Sequence, residues 1–354
     1  MKHWFPFFLL LLPLSVCYGI PTEEDCSCSM DEKISDIPLF HSEEVLELTF
    51  KTNLKQVMKD KKDERDYHPV ELSYVDADGQ QVSIEALTRV RGNFRRKMCK
   101  LPPLRVKFDS TSVIGTLFEG QDKLKLVTHC KLKGDLHEQL IMVEHLVYRT
   151  YRLLTEKSFR VRLAKITYED LDGKYDPMTR FGFFIEAIDH VANRLGGEEI
   201  ETSNLHPNRT EAETVDLLSV FEYMIGNTDW SIPGLHNIKI IAIEEQTEPI
   251  PVPYDFDWCG AINAPYAIPS ESLDIPSVKI RLFRGFCKPK EDFEKVFAIF
   301  REKKDEIYSL YQGCPYLSEK KKSEVLKYFD EFYDIINDPR KLKNEIYAKC
   351  RTSR

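Results

Sequence analysis

The spacing of apolar residues changes once along this chain, and that change limits the folds open to it. From Val45 to Phe108 apolar and polar residues largely alternate, in VLELTFK, VELSYVDADGQQVSIEAL, LTRVRGN and PLRVKFD. Alternation sends one face of a segment into a core and the other into water, which is the pattern of β-strands. Asp78-Gly79, between two such runs, predicts a hairpin turn. After DKLKLVTH the period becomes helical over His137–Leu154, with Leu140, Val143, Leu146, Val147, Tyr151 and Leu154 on one stripe. FRVRLAKITYED and MTRFGFFIEAID then predict two more strands joined by the turn LDGKYDP. The first half reads as a mainly antiparallel sheet with one long helix inserted.

The second half has a different character. Glu211–Ile225 predicts an amphipathic helix that runs into the loop Gly226-Asn227-Thr228-Asp229-Trp230. NIKIIAI and PIPVPYDF predict a hairpin across the polar turn EEQTE, and beyond Phe293 the pattern is largely helical. The fold class is therefore α+β, divided into a sheet-rich unit over 45–192 and a mainly helical unit over 193–354. No internal repeat is present.

The chain opens with MKHWFPFFLLLLPLSVCYG, in which one early Lys precedes an apolar run from Trp4 to Leu14 and then small residues. That pattern predicts a secretory signal peptide over 1–19, too short for a stable membrane-spanning helix. Val16 is a poor neighbour for lipid attachment at Cys17. An acidic leader segment follows over 20–44. Loss of Lys2 takes the formal charge from −8 to −9, which argues against nucleic acid as a partner. Without Cys17, eight cysteines remain, an even number suited to disulfides in an oxidising compartment. The expected pairs are Cys99–Cys130, Cys259–Cys287 and Cys314–Cys350. With no C-x-x-C pair, the spacing offers no zinc site. Asn208-Arg209-Thr210 is a glycosylation acceptor in a eukaryotic host.

Several residues invite a chemical reading. Asp229 lies in a loop after a helix, Asn237 begins the next strand, and Asp255 ends the strand that returns beside it. A hairpin would bring the last two together, and such hard oxygen ligands suit Mg²⁺. Asp257 would share a strand face with Asp255, so either can be the principal ligand. The plainer reading makes Asp229 a turn cap and Asp255 the partner of a basic residue. Arg89, Arg91, Arg95, Arg96, Lys97, Lys100, Arg105 and Lys107 place eight cations within nineteen residues. Such a cluster repels itself unless anions are near. Arg91-Gly92-Asn93 could form a tight turn approaching phosphate, with Lys107, Lys100 or Arg105 as the contacting cation; a solvated basic face is the alternative. His129, His190 and His236 read as structural, although His236 adjoins Asn237, and Trp230 and Trp258 read as core.

RGNFRRKMCKLPPLRVKF, FEYMIGNTDW…HNIKI and VPYDFDW, together with the strand pair Phe159–Asp189, resemble the spore-coat CotH family of secreted atypical protein kinases and, more distantly, the HipA-like kinases. The likeness covers roughly residues 85–260. It implies a two-lobed protein-kinase-like fold, with an antiparallel-sheet N-lobe and a mainly helical C-lobe. It also implies phosphoryl transfer from ATP to a protein substrate with Mg²⁺ or Mn²⁺. Asp229 would be the catalytic carboxylate, Asn237 and Asp255 the metal ligands, and Glu144 (or Glu138) the partner of the phosphate-binding lysine. Glu186 would lie at the nucleotide hinge. Asn227-Thr228 stands where ordinary protein kinases carry His-Arg before the Asp, and two further departures stand out. Seven residues separate Asp229 from Asn237, against four in ordinary protein kinases, and no G-x-G-x-x-G lid is present. A catalytically silent surface protein, or a nucleotidyl transferase using the same site, fits the same residues. A glycoside hydrolase using Asp229 and Asp255 would leave Asn237 and the basic stretch without a role.

Overall fold

The computed structural model describes residues 37–352 together with Met1. The signal peptide expected over 1–19, most of the acidic leader, and Cys17, Cys26 and Cys28 lie outside the described residues. In chain order the first elements are β1 (Leu46–Thr52), α1 (Leu54–Lys59), β2 (His68–Val75), β3 (Gln81–Val90), α2 (Phe94–Met98), β4 (Leu104–Lys107), β5 (Lys123–Val127), α3 (Leu136–Leu154), β6 (Val161–Asp170) and β7 (Met178–Ile185). They are followed by α4 (Ile188–Arg194), β8 (Gly197–Glu199), α5 (Ala212–Ile225), β9 (Ile238–Ile243), β10 (Ile250–Pro253), α6 (Lys290–Glu302), α7 (Lys304–Gln312) and α8 (Glu319–Asn337).

The first seven strands close into a barrel in the order β1-β2-β3-β4-β5-β7-β6, and β6 pairs with β1. That last pairing is parallel, from Leu46 opposite Ala164 to Thr52 opposite Asp170, so the sheet is mixed. This overturns the expected two-lobed plan with an antiparallel-sheet N-lobe: the strands form a closed barrel with helices packed around it. Apolar alternation identifies a strand and its inner face but carries no information on its partner. Here the closing pair joins segments more than a hundred residues apart. Closure removes both sheet edges and fills the interior with Leu48, Phe50, Leu72, Ile84, Val106, Leu126, Ile166 and Tyr168.

A second, larger core binds the two halves of the chain. It runs from α3, β6 and β7 through α5, β9 and β10 to α6, α7 and α8. Helix α3 is buried without interruption from Leu140 to Tyr148, as expected of a helix enclosed on all sides. Helix α5 is likewise buried from Val215 to Ile225 apart from Asp216, rather than presenting one wet face. It stops at Gly226, whose φ of 68° is the left-handed conformation of a helix C-terminus, and the chain turns there into Asn227–Asp229.

The hairpins predicted at Asp78-Gly79, across LDGKYDP and across EEQTE are all formed. Cys99–Cys130 is formed as expected. The other two expected pairings are not: Cys287 bonds to Cys350, while Cys259 and Cys314 are free and buried. A short parallel bridge explains this, since Cys287 N–H donates to Arg351 and Arg351 N–H to Gly285. It brings the end of the chain alongside Cys287. Among the described residues, no helix is long and apolar enough to cross a membrane.

Candidate functional site

Three chain segments meet where the small β8–β9–β10 sheet adjoins the barrel and α3. Asn237 immediately precedes β9, and Tyr254 N–H, just past β10, donates to its carbonyl at 3.0 Å. Asp255 follows Tyr254. Asn237 (φ 53°) and Asp255 (φ 65°) both adopt left-handed backbone, a conformation that costs non-glycine residues energy and often marks functional turns. Asp255 N–H is held by the Tyr148 hydroxyl of α3 at 2.8 Å.

Asp229 sits across from Asn237 and is oriented by three contacts. His236 Nε2 lies 2.9 Å from Oδ1. Asn237 Nδ2 donates to Oδ2 at 3.1 Å and to the Asp229 carbonyl at 2.7 Å. Asp229 N–H donates to Asn227 Oδ1 at 3.0 Å. The carboxylate remains 37% exposed, open to a ligand. Because Asn237 spends its amide N–H₂ on Asp229, its Oδ1 is left free of protein donors among the described residues, as is the Asp255 carboxylate. Both are hard oxygens of the kind that magnesium takes as one or two protein ligands, with water and phosphate completing its shell. Among the described residues, no group of three or more His, Cys, Asp or Glu is arranged to hold a metal.

Asp257 has different surroundings. Strand β10 ends at Pro253 and the chain turns at Asp255, so the two carboxylates do not share a strand face. Asp257 is buried, accepts from the Tyr266 hydroxyl at 3.0 Å and lies 3.8 Å from Arg95. Arg95 also meets Glu144 of α3 at 3.3 Å and donates to the Thr128 carbonyl. Burial lifts both acids, Glu144 to about 7 and Asp257 well above the usual carboxylate range, with Arg95 opposing the rise. Glu144 is thus the partner of Arg95, not of a lysine.

The basic stretch resolves into a row. Cross-strand register sets Arg89 opposite Arg105, and Arg105 opposite Lys125. Like charges directly across a sheet repel, and among the described residues no carboxylate lies within ion-pair distance of Arg89, Arg91, Arg105, Lys107 or Lys125. Lys125 stands nearest the hairpin end, its Nζ 4.6 Å above the Tyr254 ring. Burial pushes its ammonium down to about 7, Arg91 pushes the same way, and Asp255 opposes. Lys107 instead lies over Tyr67 at 5.9 Å, beside Arg89 at 4.6 Å. Lys100 and Asn93 are exposed beside the Cys99–Cys130 link and at the start of α2.

Glu186 is buried in a structural network, accepting from Arg160 N–H at 2.9 Å and Arg194 at 3.0 Å. Glu138 accepts from Phe181 N–H. Trp258 packs edge-on against Phe94, and Trp230 belongs to a small core cluster. Sequence reasoning passed over Lys125 and Glu222. Lys125 reads as an ordinary outward strand residue until register sets it beside Arg105. Glu222 does carry a signal, an acid within the apolar run VFEYMI: it is 1% exposed, and burial raises it to about 8. No protein-family model matches this chain, and no curated protein matches it.

Proposed function

We propose that this chain is an extracytoplasmic phosphotransferase that moves a phosphoryl group from ATP to a protein hydroxyl with Mg²⁺ or Mn²⁺. One observation carries the reading. Free hard oxygens of Asn237 and Asp255, an oriented Asp229 and the unpaired cations Arg91 and Lys125 converge at a single hairpin end. Phosphoryl transfer asks a protein for little else than positioned phosphates, compensated charge and a carboxylate at the attacking hydroxyl. The likeness of the hairpin and basic motifs to the CotH-type kinases adds support for the chemistry. Two disulfides among the described residues and the apolar leading segment support export.

In this reading Arg91 and Lys125 bind the non-bridging phosphate oxygens, and Arg105 extends the same row. Asn237 Oδ1 and Asp255 would hold the metal, which when bound draws charge off the polyphosphate oxygens. Asp229 keeps lone pairs beyond those that His236 and Asn237 occupy, and it takes the proton of the acceptor hydroxyl. The acceptor oxygen bonds to the γ-phosphorus, the bond from that phosphorus to the β–γ bridging oxygen breaks, and ADP departs with the electron pair.

A thermal melt of the purified chain with ATP, with and without Mg²⁺ or Mn²⁺, tests this directly. Saturation at a hundredfold excess over Kd corresponds to about 2.7 kcal/mol of stabilisation. Asp255→Ala should abolish the nucleotide-dependent rise while leaving the nucleotide-free transition intact. A wild-type chain whose melting point ignores millimolar ATP and metal overturns the proposal. A second reading, a catalytically silent surface protein, draws on the pairing of Glu144 with Arg95, which leaves Lys125 without a carboxylate partner. It would retain its interactions when Asp229 and Asp255 are replaced together.

A further inference from the structure

Trp230 follows Asp229 directly, and two guanidinium groups lie against its ring. Arg284 Cζ is 5.8 Å and Arg351 Cζ 6.0 Å from the ring centroid. Arg351 also covers Phe286 at 4.7 Å, and the Phe286 ring lies 5.8 Å from that of His206. His206 in turn lines a surface cavity of about 590 Å³ with Thr202, Ser203, Asn208 and Arg209. Leu205 of the same loop packs in the small core of Trp230. These contacts form one strip from the cavity to the candidate base, His206 and Phe286 first and then Arg351 and Arg284 on either side of the buried Trp230 ring.

The charge of the strip is offset only at a distance, by Asp229 and Glu222 beside Arg284. Among the described residues no carboxylate lies within ion-pair distance of Arg209, Arg284 or Arg351. Arg284 donates to the Thr228 carbonyl, and its charge acts on Asp229 and Glu222. Arg351 is exposed, and its closest charged influence is Arg284, a like charge. The indole Nε1–H of Trp230 is buried with no acceptor. Both arginines are fixed from behind, because the Cys287–Cys350 disulfide and the Arg351–Gly285 hydrogen bond tie their segments together. In a chain of net charge −8, repelled cations held together beside a candidate base call for a negatively charged ligand.

We propose that this strip docks the acceptor as an acidic peptide segment, with its carboxylates on Arg351, Arg284 and Arg209 and its hydroxyl delivered to Asp229. The assignment rests on the phosphotransferase reading for the hydroxyl but on geometry alone for the acidic peptide. A guanidinium lying over an aromatic ring leaves its N–H edge free to take a carboxylate bidentately. The half-buried His206 and Phe286 rings supply apolar contact to a peptide chain, and three cations match a short acidic run. A long polyanion would extend past the strip onto a molecule of net negative charge.

Fluorescence anisotropy with the full chain tests the proposal, using a labelled serine peptide rich in Glu and a Lys-rich serine peptide as control. The acidic peptide should bind in a salt-sensitive manner, and Arg351→Glu should weaken it at least tenfold. Arg351→Gln should fall between, and both variants should keep the wild-type response of melting temperature to Mg²⁺ and ATP. Equal binding of the two peptides, or binding indifferent to Arg351, overturns the docking proposal. A heparin oligosaccharide that binds more tightly than the peptide and depends on Arg351 overturns the peptide assignment in favour of a glycan. If ATP and metal leave the melting point unchanged while the acidic peptide still needs Arg351, the phosphotransferase reading fails and the strip stands as a protein-docking surface.

Discussion

Two groups of charged residues lie close together in this molecule and do opposite things with the same chemistry. Arg95, Glu144 and Asp257 are enclosed between α2, α3 and the segment after β10, with side chains at most 10% exposed. Asp229, His236 and Asn237 sit at the rim, with Asp229 and His236 side chains 37% and 57% exposed. In the first group one guanidinium serves two acids and all three are closed to solvent, which makes removal of the cation costly. In the second, water screens the pair, so its contacts orient more than they stabilise. Burial turns a carboxylate into architecture, and partial exposure leaves it available to a substrate.

Arg95→Met should break the comparison most strongly. It strands Glu144 and Asp257 without their cation and should cost about 3–5 kcal/mol, read from the urea midpoint at constant slope. A loss under about 1 kcal/mol would mean that the enclosed acids are simply neutral and need no partner.

Glu222 sharpens the contrast through pH. It lies beneath the Asn227–Asp229 loop, facing Asn227, Asp229 and Arg284, and its pKa is about 8 in the folded chain against 4.5 ordinarily. Between those values the folded state keeps a proton that the unfolded state has lost, so stability falls as pH rises from about 4.5 to 8. Glu222→Gln should remove that slope. Relative to wild type it should gain on the order of 4 kcal/mol between pH 4.5 and pH 8, since one pKa unit is worth ~1.4 kcal/mol and the group is raised from 4.5 to about 8. Parallel stability–pH curves for the two proteins would contradict this.

His236→Gln should have the smallest structural effect. The pair is exposed, so unfolding free energy should change by less than about 1 kcal/mol. On the phosphotransferase proposal, turnover should nevertheless fall about tenfold, a fraction of the 10²–10⁴ that a positioned base contributes. A large loss of stability with unchanged turnover would reverse the roles assigned to the two groups.

Much of the local structure was legible from residue order. The long helix predicted over His137–Leu154 spans Leu136–Leu154, and the predicted hairpins form where turn residues separate alternating runs. The hairpin that brings Asn237 beside Asp255 belongs to this class. By contrast, α5 was expected to keep one wet face, yet nearly its whole surface is covered by elements that arrive later in the chain. The cysteine pairs show the same divide. Cys99 and Cys130 are adjacent through strands β4 and β5, whereas Cys287 finds Cys350 only because the end of the chain returns to Gly285.

The order of residues alone determined which long segments are strand and which are helix, where the hairpin turns fall, and which face of most strands is apolar. Those properties follow from side-chain period and turn chemistry within a few residues. Only the tertiary structure decided that β6 closes against β1, that Arg105 stands between Arg89 and Lys125, and that Arg95 rather than a lysine claims Glu144. Each of these depends on pairing and burial between distant segments, and the free energy of a charge depends on what encloses it as much as on what it is.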